Sequence, residues 1–145
     1  MMTDSYLRRD RVALTAAGVR AIVDAAIAKA EEMGVPQCIA VVDDGGHLLG
    51  FHRMDGARLA SIAISQTKAT SAARRKRPTV ADGNGDPVLG LRLALASGGQ
   101  FTNIGGGVPI VVDGQTIGAV GVSSGTSEED MVVAAAGIDA LGIPS

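Results

Sequence analysis

Arg53, Asp55 and Lys68 are the residues of this chain whose types and positions could act together on a ligand. Arg53 closes an apolar stretch just before the break at Asp55-Gly56. Its guanidinium offers a planar fork that matches a carboxylate. Asp55 could orient that fork or accept a proton. Lys68 stands in a segment otherwise full of small residues, an odd place for a long cation unless its head reaches something. The plainer alternative is a structural pairing of Arg53 with Asp55, with Lys68 snorkelling to solvent. His52, next to Arg53, makes the stretch His52 to Ala57 the leading place for chemistry. The run Gly105-Gly106-Gly107 is a second one. It is either a loop needing positive φ or a backbone surface whose N–H groups face an anion.

Other chemistries find little support. His47, His52 and Cys38 have no spacing of a metal-ligand set. Five positions separate the two histidines, so on one strand they point to opposite faces. No Gly-x-Ser-x-Gly elbow is present. The glycine run lacks a Walker lysine and leads into a strand, so it fits neither phosphate fingerprint. The net charge is −2 and the only aromatics are Tyr6, Phe51 and Phe101, which argues against nucleic acid as a partner. Cys38 is the single cysteine and lies in an apolar run, as a buried core thiol would. The first ten residues are polar, without the apolar core of a secretory signal, and no run approaches a membrane span. A cytoplasmic protein with no membrane partner is expected.

These residues must be positioned by regular elements. With 145 residues and 46% apolar content, one domain over 1–145 with a real core is expected, residues 1–10 being a flexible tail. Val19, Ile22, Val23, Ala26, Ile27 and Ala30 share one face of a helix that Thr15 caps and Gly34 ends. Cys38 to Val42 reads as a buried strand. Asp43-Asp44-Gly45-Gly46 turns the chain, and His47 to Met54 returns as a hairpin partner. A helix rich in Ala and Ser follows from about Arg58 to Arg75. Its small side chains let another backbone approach closely, under the sheet or in a subunit interface. The run Arg74-Arg75-Lys76-Arg77 closes it, either as cations complementing the helix dipole or as an anion patch. Thr79 to Pro87 reads as loop and Val88 to Ala96 as a short helix. Val108 to Val112 and Thr116 to Val122 form a second hairpin around Asp113-Gly114. Thr126 and Glu129 have the spacing of a capping box for a last helix, with Met131, Ala134, Ala135, Ile138 and Leu141 as its apolar face. Hairpins without βαβ crossovers imply an α+β fold with a mostly antiparallel sheet. A fifth strand could come from Arg11-Val12-Ala13 or from the Phe101 region.

Several linked segments resemble the GlcG/HbpS family, the haem-degrading group that includes the C-terminal domain of PduO-type proteins. They are Ala40-Val41-Val42-Asp43-Asp44-Gly45-Gly46-His47-Leu48-Leu49, Arg53-Met54-Asp55-Gly56-Ala57, Lys68-Ala69-Thr70-Ser71-Ala72-Ala73, Gly106-Gly107-Val108-Pro109-Ile110 and Gly118 to Thr126. The resemblance spans roughly residues 12 to 142. It implies a profilin-like α/β/α sandwich with a five-stranded, mostly antiparallel sheet, and a homo-oligomer between dimer and octamer. It also implies a small-molecule ligand, with haem as the cofactor to consider. The PduO-type domain uses a His of its first helix for haem. Here no His lies between Leu14 and Gly34; His52 could be an axial ligand, or else a partly buried strand histidine, and no other metal ligand is expected.

Two functions are consistent with these residues. One is a binding protein holding haem or another small anion in an oligomer-interface pocket formed by Arg53, Asp55, Gly56, Lys68, Asn103, Gly105, Gly106 and Gly107. The other is an enzyme of a small catabolic pathway acting on a carbonyl or carboxylate substrate in the same pocket. His52, Asp55 or Lys68 would then be acid or base, and Arg53 and the glycine N–H groups would stabilise developing negative charge.

Overall fold

The architecture was taken from a computed structural model, which describes residues 3–8, 10–80 and 88–144. Thr15 caps α1 (Ala16–Met33), its hydroxyl accepting from Gly18 N–H, and Gly34 ends the helix in the left-handed conformation. Strands β1 (Cys38–Asp43) and β2 (Leu48–Arg53) form the first hairpin. Helix α2 runs Ser61–Arg75 and α3 Leu89–Ala96. Strands β3 (Gly107–Val112) and β4 (Gln115–Ser123) form the second hairpin, and α4 (Ser127–Asp139) follows with the expected capping box of Thr126 and Glu129. Asp113 and Gly114 both have positive φ, as the two-residue turn between β3 and β4 requires. Asp4–Tyr6 forms one turn of 3-10 helix in the N-terminal segment expected to be a flexible tail. Of the loop expected over 79–87, residues 81–87 lie outside the described residues.

The four strands make one antiparallel sheet in the order β2-β1-β4-β3. Strand β1 is therefore internal and buried on both faces, which explains its unbroken apolar run. Its odd residues Ile39 and Val41 join Val19, Ile22 and Ala26 of α1 and Val133 and Ala134 of α4 in the larger core. Its even residues Ala40 and Val42 meet Ala69, Ala72 and Ala73 of α2 on the other face. The result is an α+β fold with helices on both faces of the sheet.

The expected fifth strand does not form among the described residues. Residues 11–13 are exposed and carry no ladder, and Arg11 pairs with Asp44. Near Phe101 the chain is irregular. There Thr79 borders β3 instead: its N–H donates to the Gly107 carbonyl (2.9 Å), and its hydroxyl accepts from Gly107 N–H (2.8 Å).

The small residues of α2 serve the sheet. A methyl group on Gly121 of β4 would overlap the Ser65 carbonyl and stand 2.5 Å from the Ala69 nitrogen. A methyl on Gly107 would collide with the Lys68 carbonyl. Glycine on the strands and Ser or Ala on the helix thus bring the two backbones together.

Helix α4 differs from expectation in its inward face. Asp130, Val133, Ala134 and Gly137 are buried, while Ala135 is exposed. The helix is turned so that Asp130 can reach a buried partner. Gly137 then lies against α1, where a methyl would meet the Ile22 carbonyl at 3.0 Å.

Candidate functional site

Lys68 does not snorkel. It is 2% exposed, and its Nζ donates to Asp130 Oδ2 (2.8 Å) and to the Val122 carbonyl (2.9 Å). Asp130 is equally buried; its second oxygen accepts from Gly125 N–H at 3.0 Å. The glycine run comes to the same place. A methyl on Gly106 would stand 2.7 Å from Lys68 Nζ, and Gly106 adopts φ 134, a conformation that L side chains rarely enter. The Gly106 carbonyl accepts from Val122 N–H (2.9 Å), so the run is stitched to the end of β4. Lys68 and Gly105 to Gly107 therefore lie together. All four are buried, and the lysine head is committed to protein acceptors.

Arg53, Asp55, Gly56 and His52 belong to a different place. All four are exposed, at the far edge of the sheet or in the turn after it. The register aligns Arg53 with Cys38 and Cys38 with Ser123, while Gly107 aligns with Gly121 on the next pair. At about 4.8 Å per strand, Arg53 lies roughly 10 Å from β4 and roughly 14 Å from β3. One copy of the chain thus keeps the Arg53 corner apart from Lys68 and the glycine run. Arg53 and Asp55 also form no ion pair, so the expected structural pairing is not seen among the described residues. Asn103 is exposed on a third segment, against α3: a methyl on Gly90 would meet its side-chain nitrogen at 3.0 Å.

Burial raises the thiol pKa of Cys38, and the nearby charge of Arg53 offsets part of that rise. The side chain of Gln37 is fully buried, and neither amide atom has a partner among the described residues. It lies beside Gly125, where a methyl would stand 2.9 Å from Nε2.

His52 has a different neighbourhood from Arg53. It aligns with Ile39, so it lies on the α1 face of β2, as does Gly50 opposite Val41. A groove of about 250 Å³ runs along that edge between α1 and β2, lined by Val19, Arg20, Val23 and Asp24 of α1 and by the β2 edge from Leu49 to Phe51. Gly50 creates the room, since a methyl there would stand 2.6 Å from Val19 Cγ1. His52 follows two residues beyond Gly50, about 7 Å along the strand. Among the described residues no group of three His, Cys, Asp or Glu side chains is placed to hold a metal ion, and no helix is long and apolar enough to cross a membrane.

The family described as "Haem degrading protein HbpS-like" matches residues 14–139. The chain belongs to the HbpS-like family. The match takes in α1 to α4, and hence both the Lys68 cluster and the α1–β2 groove. Among relatives of this HbpS-like chain, Protein GlcG of Escherichia coli K12 is 43% identical over 115 residues, which are 79% of this chain and 84% of GlcG. The crystal structure of Klebsiella pneumoniae protein ORFY superposes with a TM-score of 0.84 at 35% identity, covering 96% of this chain and 98% of ORFY. That of a PduOC:heme complex superposes with a TM-score of 0.82 at 30% identity, covering 92% and 98%.

Asp130 is the member of the Lys68 cluster that the sequence conceals. Inside Glu128-Glu129-Asp130 it reads as one more acid at a helix N-terminus. A signal exists, however. Val133, Ala134 and Gly137 follow Asp130 at i+3, i+4 and i+7, the spacing of one helical face. An acid leading such a face is placed inward, where it needs a cation.

Proposed function

We propose that this HbpS-like protein binds a small anionic molecule, haem foremost, in the groove between α1 and β2, and that a second copy of the chain completes the groove. The position of His52 on the groove's face of β2 carries this reading. Haem asks for an apolar bed, a nitrogen donor for its iron and a cation for its propionates. Val19 and Val23 of α1 supply the bed against the edge of β2, His52 the imidazole and Arg20, one turn before Asp24, the charge. When bound, the cofactor would supply redox chemistry at its iron. The protein's part is to hold and cover it.

The groove's volume supports an assembly. Sites that bury most of a small ligand measure about 300–1,000 Å³. At about 250 Å³ and open to one side, this groove covers only part of a macrocycle. Exposed Leu48 and Leu49 on the same edge strand would be covered by the second copy. The haem held by the PduOC relative supports the ligand class. We place the protein in the cytoplasm, on the single buried cysteine. The acid/base reading gains nothing from the fold, because Lys68 is buried away from His52 and Asp55.

Titration of the purified protein with haem tests the proposal. A saturable Soret shift is expected. His52→Ala should remove it, and Arg20→Ala should weaken binding about tenfold while leaving the shifted spectrum unchanged. A wild-type protein that gives no shift at saturating haem, or a His52→Ala variant that keeps the full shift, overturns the assignment.

A further inference from the structure

A second cleft, on the other side of the molecule, has the lining of a binding site and belongs to neither group above. It lies between the C-terminal half of α2 and the short helix α3 and measures about 310 Å³. Its floor and one wall are apolar: the ring of Phe101, itself only 9% exposed, with Leu93 and Ala96 of α3. Its other wall is cationic, formed by Arg74 and Arg75. Among the described residues no acidic side chain lines it.

The two guanidinium groups are held in position. Arg75 lies over the Phe101 ring, 4.7 Å from its centroid. Such stacking orients a guanidinium and leaves the edge that carries its donors available. Arg74 Nε donates to the Gly45 carbonyl at 2.8 Å, which fixes its head at the rim and leaves its terminal nitrogens for another acceptor. Neither arginine is paired with a carboxylate among the described residues. Two neighbouring cations that repel one another, fixed in position and without a counter-charge among the described residues, are matched by an anion.

From this geometry we infer that the α2–α3 cleft binds a small aryl carboxylate, its ring against Phe101 and Leu93 and its carboxylate on Arg74 and Arg75. Phosphate or sulfate would use the arginines and leave the apolar half empty. A neutral arene would fill the apolar half and leave the cations unmatched. The volume lies at the lower end for ligand sites, which suits one or two fused rings. The carbonyl end of α2 weighs against an anion, since its partial charge is negative. Two full positive charges at the rim outweigh that partial charge. Among the described residues the lining contains no His, Cys, Met or Tyr to ligate a haem iron, and it shares no residue with the α1–β2 groove.

The test is a titration of the full chain with 2-naphthoate, followed by amide NMR shifts. Saturable shifts confined to the end of α2 and to residues 93–101 are expected, with a sub-millimolar dissociation constant. Neutral 2-naphthamide, of the same shape, should bind about tenfold more weakly, and Arg75→Gln should lose about tenfold for naphthoate. Arg75→Gln also removes the stack on Phe101 and could reshape the cleft. Ala96→Trp therefore serves as a second variant: it fills the cleft from α3, keeps both cations, and should abolish binding with an unchanged unfolding midpoint. His52→Ala should leave naphthoate binding intact, so a failed haem titration does not decide this one. Equal binding of amide and carboxylate, displacement by equimolar inorganic phosphate, shifts centred on the α1–β2 groove, or no saturation up to about 10 mM would each overturn the inference.

Discussion

Lys68 Nζ lies 2.8 Å from Asp130 Oδ2, and both side chains are 2% exposed. The bond joins α2 and α4, helices on opposite faces of the sheet, past the β4 backbone at Val122. It also sets the path of the glycine run, because the space beside the ammonium admits no side chain at Gly106.

Removing one partner of this pair leaves a charge in the interior. Lys68→Met or Asp130→Leu should each destabilise the fold by about 3–5 kcal/mol. The double variant Lys68→Met/Asp130→Leu should recover a large part of that loss, since neither charge remains. Urea unfolding midpoints of the three variants give the coupling. Additive losses in the double variant would show that the two groups act independently.

Gly121 carries the close approach of α2 to the sheet. Gly121→Ala must push the helix away from Ser65 and Ala69, and should cost about 3 kcal/mol or more. Gly114 also has a special backbone, φ 76, but nothing lies within 4 Å of a methyl there. Gly114→Ala should cost only about 1 kcal/mol of left-handed strain. Thermal unfolding of both variants compares contact with conformation.

The turn between β1 and β2 makes stability depend on acid. Burial pushes the Asp43 carboxyl up. The N–H groups of His47 and Gly45, each 2.9 Å from Oδ1, and the nearby imidazole outweigh burial and leave it below its usual 3.8. A lowered folded value means the contribution is present above 3.8 and is lost as pH falls through the folded value. Asp43→Asn should therefore lower the melting temperature at neutral pH. Its difference from the parent protein should shrink as the pH drops below 3.8. A constant difference across that range would remove Asp43 from the acid response.

Cys38 should be inert in the folded protein. It is fully buried and burial raises its thiol pKa, so little thiolate forms near neutrality. Reaction with an aromatic disulfide reagent should proceed at the rate of unfolding and become immediate in denaturant. Rapid labelling under native conditions would mean that the end of β1 opens locally.

The sequence itself displays what local rules govern. Thr15 and Gly34 bound α1 as a cap and a left-handed stop, Asp113-Gly114 makes the second hairpin, and Thr126 with Glu129 starts α4. The close backbone approach of α2 is legible in its Ala and Ser content, though not the surface it approaches. The fifth strand that the resemblance implies is absent among the described residues, because Arg11 is held by Asp44 and Thr79 borders β3. Ala135, expected to be inward on α4, faces solvent because Asp130 is drawn in.

The candidate site divides along the same line. Residue types alone mark Arg53 as a fork at a strand end, and leave Lys68 either snorkelling or reaching a partner and Gly105 to Gly107 either a positive-φ loop or a backbone facing a ligand. Which of them meet depends on the strand order β2-β1-β4-β3, a long-range property that no local pattern encodes. Insertion of β4 between β1 and β3 puts the glycine run beside Lys68 and two further strands between it and Arg53. The same order leaves β2 as an exposed edge with His52 on the face that α1 covers. Sequence determined the side chains and the elements that carry them, because capping, turn geometry and periodicity act over a few residues. Tertiary structure alone decided their partners, because pairing and burial join residues as far apart as Lys68 and Asp130.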